Sequence, residues 1–283
     1  MTGSTASVGK KPFRFGVVAP ITTDLPAWKD RVRRIAGLGY STLLMPDVPR
    51  IHPAPGPTLA MAAGLAPELR VGTWVYAAGV RPPWVAAWEA HSLSVLTDGK
   101  FELGLGGGRP GIEDELRTLH VPVAGPGERL AQIRETVAAL RELEAAGGGG
   151  RTPVVMAVAG PKAQALAAEL ADTVTFALPP GVSRERITRM VREFRATYAD
   201  RDLELSQHVA VVGDGIAPFM ASVADTDPAA LHAEDSLVVL PDDPSAAAEE
   251  IQRRREELGF SYVVFGTDFA ETLAPVVARL AGT

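Results

Sequence analysis

Eight short apolar runs, each followed by a stretch with helical character, constrain the fold of this chain more than any other feature. The runs are residues 13–19, 41–45, 71–76, 101–106, 154–158, 173–177, 205–212 and 262–266. Their continuous Val, Leu and Phe character suits strands buried on both faces, as parallel strands under helices are. Between them, Asp24 caps a helix with Pro26 in its first turn, Val32, Ile35 and Leu38 on one face and Gly39 as its stop. Further helices are predicted over 84–96, 128–144, 161–170, 183–198 (with Ser183 as N-cap), 245–258 and 269–281. The stretch 128–144 is the clearest, with Leu130, Ile133, Val137 and Leu140 at the helical period.

Eight strand–helix units in one chain of 283 residues predict an α/β fold, a closed (β/α)8 TIM barrel, for which about 250 residues is typical. A doubly wound open sheet is the weaker alternative, since the acidic residue of a dinucleotide fold is absent. Two inserts, residues 107–127 and 214–244, leave the C-terminal ends of strands four and seven, the face where barrel active sites sit. The glycine run 147–150 lies at the opposite face and reads as a linker. Residues 1–11 read as a disordered tail, and 12–283 as a single domain.

Composition removes several function classes. The chain has no cysteine, which excludes thiol nucleophiles, cysteine-ligated zinc and iron–sulfur clusters. Its five histidines, His52, His91, His120, His208 and His232, include no pair at i,i+4 spacing, so no metal site is expected. A net charge of −6 argues against a nucleic-acid partner. No apolar run reaches the roughly 18 residues of a membrane span, and no leader-like apolar segment opens the chain, so a cytoplasmic location is expected.

Three segments carry candidate chemistry. Gly106-Gly107-Gly108-Arg109 ends a buried strand, where bare backbone either approaches something flat or anionic or simply turns. No Gly-Lys-Ser/Thr follows, which excludes a nucleotide-binding loop of that type. Ala159-Gly160-Pro161-Lys162 turns directly from a strand into a helix, so free N–H groups there either hold a phosphate or form an ordinary turn. Trp74, Val75 and Tyr76, running into Arg81-Pro82-Pro83, place aromatics at a strand end, where they flank a planar ligand or plug the core. Asp47 follows Met45-Pro46 at the exit of strand two.

The order of these pieces resembles the bacterial luciferase-like superfamily of flavin- and deazaflavin-dependent oxidoreductases. The resemblance is densest from Arg70-Val71-Gly72-Thr73-Trp74-Val75 through Arg81-Pro82-Pro83 to Leu103-Gly104-Leu105-Gly106-Gly107-Gly108. Met45-Pro46-Asp47, Arg129, Ala159-Gly160-Pro161-Lys162 and Leu258-Gly259-Phe260 extend it over nearly the whole chain except 214–244. It implies a TIM barrel binding coenzyme F420 or FMN in its C-terminal mouth, with Trp74-Val75 as a cis bulge behind the cofactor. It also implies Tyr76, Gly106, Gly107 and Gly108 along the cofactor, Ala159 and Gly160 at its phosphate, and Ala177 at the next strand end. The departures fall on the usual acid/base positions. The Asp-His common at strand two is Asp47-Val48 here, the Glu or Trp often found after the glycines is Arg109, and Arg-His-Pro is Arg81-Pro82-Pro83. Asp47, His52 and Arg109 are therefore the catalytic candidates, Arg109 also as a bidentate anion binder.

The expected function is F420-dependent hydride transfer to or from a C=C, C=N or C=O of a small molecule. The deazaflavin is preferred because the Ala-, Gly-, Pro- and Arg-rich composition suits a high-GC bacterial source. The alternatives are an FMN-dependent monooxygenase served by a separate flavin or F420 reductase, and a non-catalytic barrel that only binds a cofactor or small molecule. The oxygenase predicts an apolar lid. The 214–244 insert offers Ile216, Phe219 and Met220 but also Asp214, Asp227, Glu234 and Asp235. A homodimer is expected.

Overall fold

A computed structural model describes residues 10–147, 150–218 and 227–283. Phe219 and Met220, two glycines of the 147–150 run and residues 1–9 of the expected tail lie outside the described residues. Eight parallel strands close a barrel: β1 (Arg14–Val18), β2 (Thr42–Met45), β3 (Arg70–Thr73) continued after a break by β4 (Tyr76–Ala77), β5 (Phe101–Gly106), β6 (Val154–Val158), β7 (Thr173–Phe176), β8 (Glu204–Val209) and β12 (Phe260–Gly266). The ring shuts through β1 against β12 at one seam and through β3 against β5, Val71 opposite Phe101, at the other.

Helices cover the outside: α1 (Leu25–Gly37), α2 (Pro55–Leu65), α3 (Pro83–Leu96), α4 (Ile112–Thr118), α5 (Pro126–Ala146), α6 (Pro161–Leu170), α7 (Arg184–Thr197), α8 (Pro228–Ala233), α9 (Pro244–Leu258) and α10 (Ala274–Leu280). The expected starts hold where a cap specifies them. Asp24 accepts from Ala27 N–H at 2.8 Å, and Ser183 caps α7. Gly39 takes φ +84°, a left-handed turn that only glycine enters cheaply, and ends the α1 segment.

Three expectations need correction. The sequence reading contains none of the helices α2, α4 and α8, the last two lying within its two inserts. The run 205–212 is two strands: after Val209 the N–H groups of Ala210 and Val211 both donate to Val238 O, and the chain steps into a separate small sheet of β9 (Val211–Val212), β10 (Gly215–Ile216) and β11 (Val239–Leu240). The final helix starts only at Ala274, with Pro275 in its first turn, after a 3-10 turn at Thr267–Phe269.

Strand alternation sends Phe15, Val17, Leu43, Met45, Val263 and Phe265 outward under the helices. The inward set differs. Val18, Leu44, Tyr262 and Val264 pack with Trp74 inside the barrel. At the N-terminal floor, Arg14 donates to Glu204 and to Glu102, each at 2.7 Å, and lies 3.4 Å over the Tyr262 ring. Tyr262 Oη donates to Glu102 at 2.7 Å, and Thr173 Oγ1 to Glu204 at 2.8 Å. Glycines make room for this layer. A Cβ on Gly16 would stand 2.7 Å from Tyr262 Oη, and one on Gly72 2.6 Å from Glu102 Cγ. Burial opposes the Arg14 charge, but Glu102, Tyr262 and Glu204 outweigh it and raise its pKa further.

Candidate active site at the barrel mouth

The C-terminal mouth is organised around the break between β3 and β4. The Trp74–Val75 peptide is cis. Trp74 N–H donates to Met45 O at 2.8 Å, and Thr73 Oγ1 both donates to Gly104 O and accepts from Gly104 N–H at 2.8 Å. Val75 lies against β5, where a Cβ on Gly104 or Gly106 would come within 3.0 Å and 2.8 Å of its methyls. The Trp74 ring folds into the barrel and meets Tyr262 and His208 edge-on, with centroids 6.1 Å and 6.2 Å away.

Asp47, at the exit of β2, is buried and fully engaged. Its Oδ2 accepts from Ala77 N–H at 3.0 Å, and Arg81 grips both oxygens at 2.9 Å and 2.7 Å. Arg81 lies 3.9 Å over the Tyr76 ring. Burial works against the Arg81 charge, but hydrogen bonds to Asp47 prevail and raise its pKa. Asp47 is thus a strut that pins β4 and the start of α3. Tyr76 packs with the outer core under the helices, and burial, then Glu89, push its phenol well above the usual range.

The other candidates sort by exposure and partner. Arg109 is exposed and ion-paired with Glu115 of α4. His52 is half-buried, its N–H bonded to Val48 O. Among the described residues no hydrogen bond or ion pair joins it to Asp47. Of the three consecutive glycines, Gly106 is filled in by Val75 and Ala157, and Gly108 by Ile112, at whose side chain a Cβ would stand 2.8 Å away. Among the described residues, Gly107 alone of the three opens onto free space.

Beside it, β6 delivers the start of α6. Ala157 pairs with Gly106, so the loops after β5 and β6 emerge side by side. Gly160 is the N-cap in extended conformation and has nothing within 4 Å of a would-be Cβ. The first N–H groups of a helix have no intrahelical acceptor, and here Lys162 and Ala163 present theirs at the open mouth. Ala177, exposed at the end of β7, uses its N–H on Val158 O at 2.8 Å.

One site residue went unforeseen. In β8, Leu205 and Val209 face the outer core, so Ser206 and His208 alternate inward, and His208 arrives beside Trp74. The period-two pattern was the available signal. His208 keeps some solvent contact, yet protein surrounds its ring closely enough that burial lowers its pKa to about 4. It is neutral at pH 7.

A cleft of about 690 Å³ lies elsewhere, between the insert and α9. Its arginines are paired internally, Arg184 with Asp235 and Glu250, Arg253 and Arg254 with Glu250. Fully buried Arg254 also donates to Leu237 O and Val239 O, which fastens the insert to the barrel. Among the described residues no helix is long and apolar enough to cross a membrane.

The open backbone at Gly107 and Gly160, with Trp74 below, fits a planar cofactor carrying a phosphate, whose anion suits the positive end of α6. Solved structures share the barrel fold. Coenzyme F420-dependent tetrahydromethanopterin reductase from Methanopyrus kandleri superposes with a TM-score of 0.68 at 14% identity, over 96% of this chain and 99% of its own. An F420-dependent secondary alcohol dehydrogenase, solved with an F420–acetone adduct, gives 0.70 at 15% identity, over 94% and 98%. The oxygenating constituent of 3,6-diketocamphane monooxygenase from Pseudomonas putida, solved with FMN, gives 0.70 at 12% identity, over 96% and 98%. No curated protein matches in sequence. The model of the luciferase-like monooxygenase family matches residues 13–238, from the first barrel strand to the edge of β11, and by that match the chain belongs to this family.

Proposed function

We propose that the protein is an oxidoreductase that holds coenzyme F420 in the barrel mouth and moves a hydride between it and a C=C, C=N or C=O of a small organic molecule. The observation that carries this reading is the pair of open loops at Gly107 and Gly160, side by side on neighbouring strands and, among the described residues, free of the chain's own side chains. The bound deazaflavin would supply the hydride chemistry itself. The backbone around Ala159, Gly160 and Lys162 would hold its phosphate, and Gly107 would let the loop after β5 lie along it. Val75 braces β5 from behind. His208, neutral, backs the Trp74 ring edge-on. Asp47 and Arg81 act through position, by fixing β4, which directly follows Trp74 and Val75.

F420 is preferred to FMN because an oxygenase must keep water from its reacting centre. The described part of the mouth is open instead, with Gly108, Arg109, Ala159 and Ala177 all exposed. The FMN reading, with a separate reductase as partner, draws on the FMN-bound monooxygenase among the similar structures.

The test is a difference-absorbance titration of the purified protein with F420, FMN and NADPH in turn. Saturation by one equivalent of F420, with FMN binding at least tenfold more weakly, is expected. Preferential FMN binding moves the oxygenase ahead, and binding of none leaves a barrel without redox chemistry.

A further inference from the structure

The barrel wall loses its regular pairing beside the mouth. Strand β3 pairs with β5 as far as Gly72 opposite Glu102, and pairing resumes with Tyr76 of β4 opposite Leu105. Thr73, Trp74 and Val75 therefore stand against only Leu103 and Gly104. One extra residue is a β-bulge, which is rare in a parallel pair and re-aims side chains. Regular alternation would send successive residues to opposite faces. Here Trp74 packs with the inner cluster, Val75 lies against Gly104 and Gly106, and Tyr76 returns to the outer core. The bulge thus turns two consecutive side chains toward the mouth.

The missing rung is filled by one side chain. In the register set by Val71, whose N–H donates to Lys100 O, the Thr73 carbonyl would accept from Gly104 N–H. It lies instead in the space that a Cβ on Gly104 would need. The Thr73 hydroxyl takes its place. Fully buried, its Oγ1 accepts from Gly104 N–H and donates to Gly104 O, both at 2.8 Å. A single hydroxyl can do both. Elsewhere threonine hydroxyls serve their own helices: Thr97, Thr136 and Thr197 each donate to the carbonyl four residues back. Thr73 instead joins two strands across 31 residues. On the opposite side β2 keeps a regular bond, Trp74 N–H to Met45 O at 2.8 Å. The direction of Trp74 and Val75 is set between these two attachments.

We propose that Thr73 is the positioning residue of the cofactor wall, its hydroxyl fixing where Trp74 and Val75 stand, a role that rests on the reading of the mouth as the F420 site. Being buried, Thr73 acts through the two residues that follow it. The residue type matters. Valine has nearly the same shape but no hydroxyl, so it would leave the buried Gly104 N–H without its acceptor. Serine keeps the hydroxyl and loses only the methyl that restricts its rotamers. Gly104 is matched to the arrangement, since Thr73 O and a Val75 methyl already occupy the room for its side chain.

The test labels the full chain with fluorotryptophan and reads Trp74 by fluorine NMR, alongside a titration with F420. The Trp74 resonance is identified by its loss in Trp74→Phe. Thr73→Val should shift or broaden that resonance, leave those of Trp28, Trp84 and Trp88 in place, and weaken F420 binding about fivefold or more. Thr73→Ser should return the resonance to its parent position and the affinity to within about twofold. Thr73→Cys, whose thiol is a weak donor and acceptor, is the milder variant and should fall between valine and serine. Val191→Ala, a cut in the outer core under α7, should lower the melting temperature and move neither readout, which separates positioning from a general loss of stability. An unmoved Trp74 resonance in Thr73→Val, or parent-like behaviour of Thr73→Cys in both readouts, overturns the inference. So does a moved resonance with F420 bound as tightly as by the parent. A parent that binds no F420 overturns the reading of the mouth and, with it, the role given to Thr73; a parent that binds it leaves any failure of the variants to count against Thr73 alone.

Discussion

The two ends of the barrel are built from opposite materials. At the floor, side chains do the work: Arg14, Glu102, Glu204, Thr173 and Tyr262 satisfy one another in a closed network, and Glu102 is 1% exposed. At the mouth the backbone is what is on offer: Gly107 and Gly160 face open space, and the first turn of α6 presents donors that no helical acceptor fills. Two ionisable groups that reach the mouth are held in one charge state, Asp47 paired with Arg81 and His208 neutral through burial. A saturated network stabilises and an unsaturated one binds, so the two ends should respond to mutation in different currencies.

The largest effect is expected at the floor. Arg14→Leu leaves Glu102 buried without its cation, and breaking one side of a buried pair costs about 3–5 kcal/mol. Denaturant unfolding should show that loss, while cofactor affinity per folded molecule stays within twofold. A loss below about 1 kcal/mol would mean the floor is not the anchor.

Next comes the strut between the two regimes. Asp47→Asn removes the charge that Arg81 grips with two hydrogen bonds, and a destabilisation of about 2–3 kcal/mol is expected. Because Asp47 also holds Ala77 N–H, cofactor affinity should fall as well. Arg81→Lys, which keeps the charge but not the fork, should recover only part of both. Full recovery would contradict the bidentate role.

His208 sets a pH dependence. Its pKa in the fold, about 4, lies below the ordinary 6.5 or so, so the unfolded chain binds the extra proton first as pH falls. Stability is then complete above about pH 6.5 and declines toward pH 4, on the order of 2–3 kcal/mol in all. Glu250 behaves differently. Burial raises it, but Arg254 and the hydrogen bonds of Arg184 and Arg253 bring it to about 2, so its contribution disappears only below the normal carboxylate range. His208→Gln should flatten the pH 6.5 to 4 slope and leave the acid limb below pH 4. An unchanged slope would assign the decline elsewhere.

The smallest effect on stability is expected at Gly107→Ala, under about 0.5 kcal/mol, since a Cβ there meets nothing. Its consequence should appear only in cofactor titration.

The floor and the mouth also differ in how far the sequence exposes them. The barrel is legible because β5 and β6 fall where their apolar runs fall, and α6 where its Gly-Pro start places it. Helix α2 escapes because Pro55-Gly56-Pro57 and an uncharged run offer no polar face against which to read a period. The α10 start escapes although Pro275 marks a first turn. At the site, the glycines are visible, but not which of them the chain fills itself: that Val75 and Ile112 occupy the room beside Gly106 and Gly108 depends on contacts made only in the fold. The Asp47–Arg81 pair spans 34 residues, and nothing in either segment announces the other. His208 was within reach, since alternation alone turns it inward.

The measurement that bears most directly on this account compares the parent with Gly160→Val in a titration with F420, alongside thermal melting. The valine meets no atom of the described residues within 4 Å of its Cβ, and it projects where the phosphate would lie against the first turn of α6. The anion–helix interaction there is worth about 1–2 kcal/mol, so the dissociation constant should rise about tenfold or more while the melting temperature stays within about 2 °C. Equal binding of F420 by parent and variant, with melting unchanged, would contradict a phosphate at the start of α6.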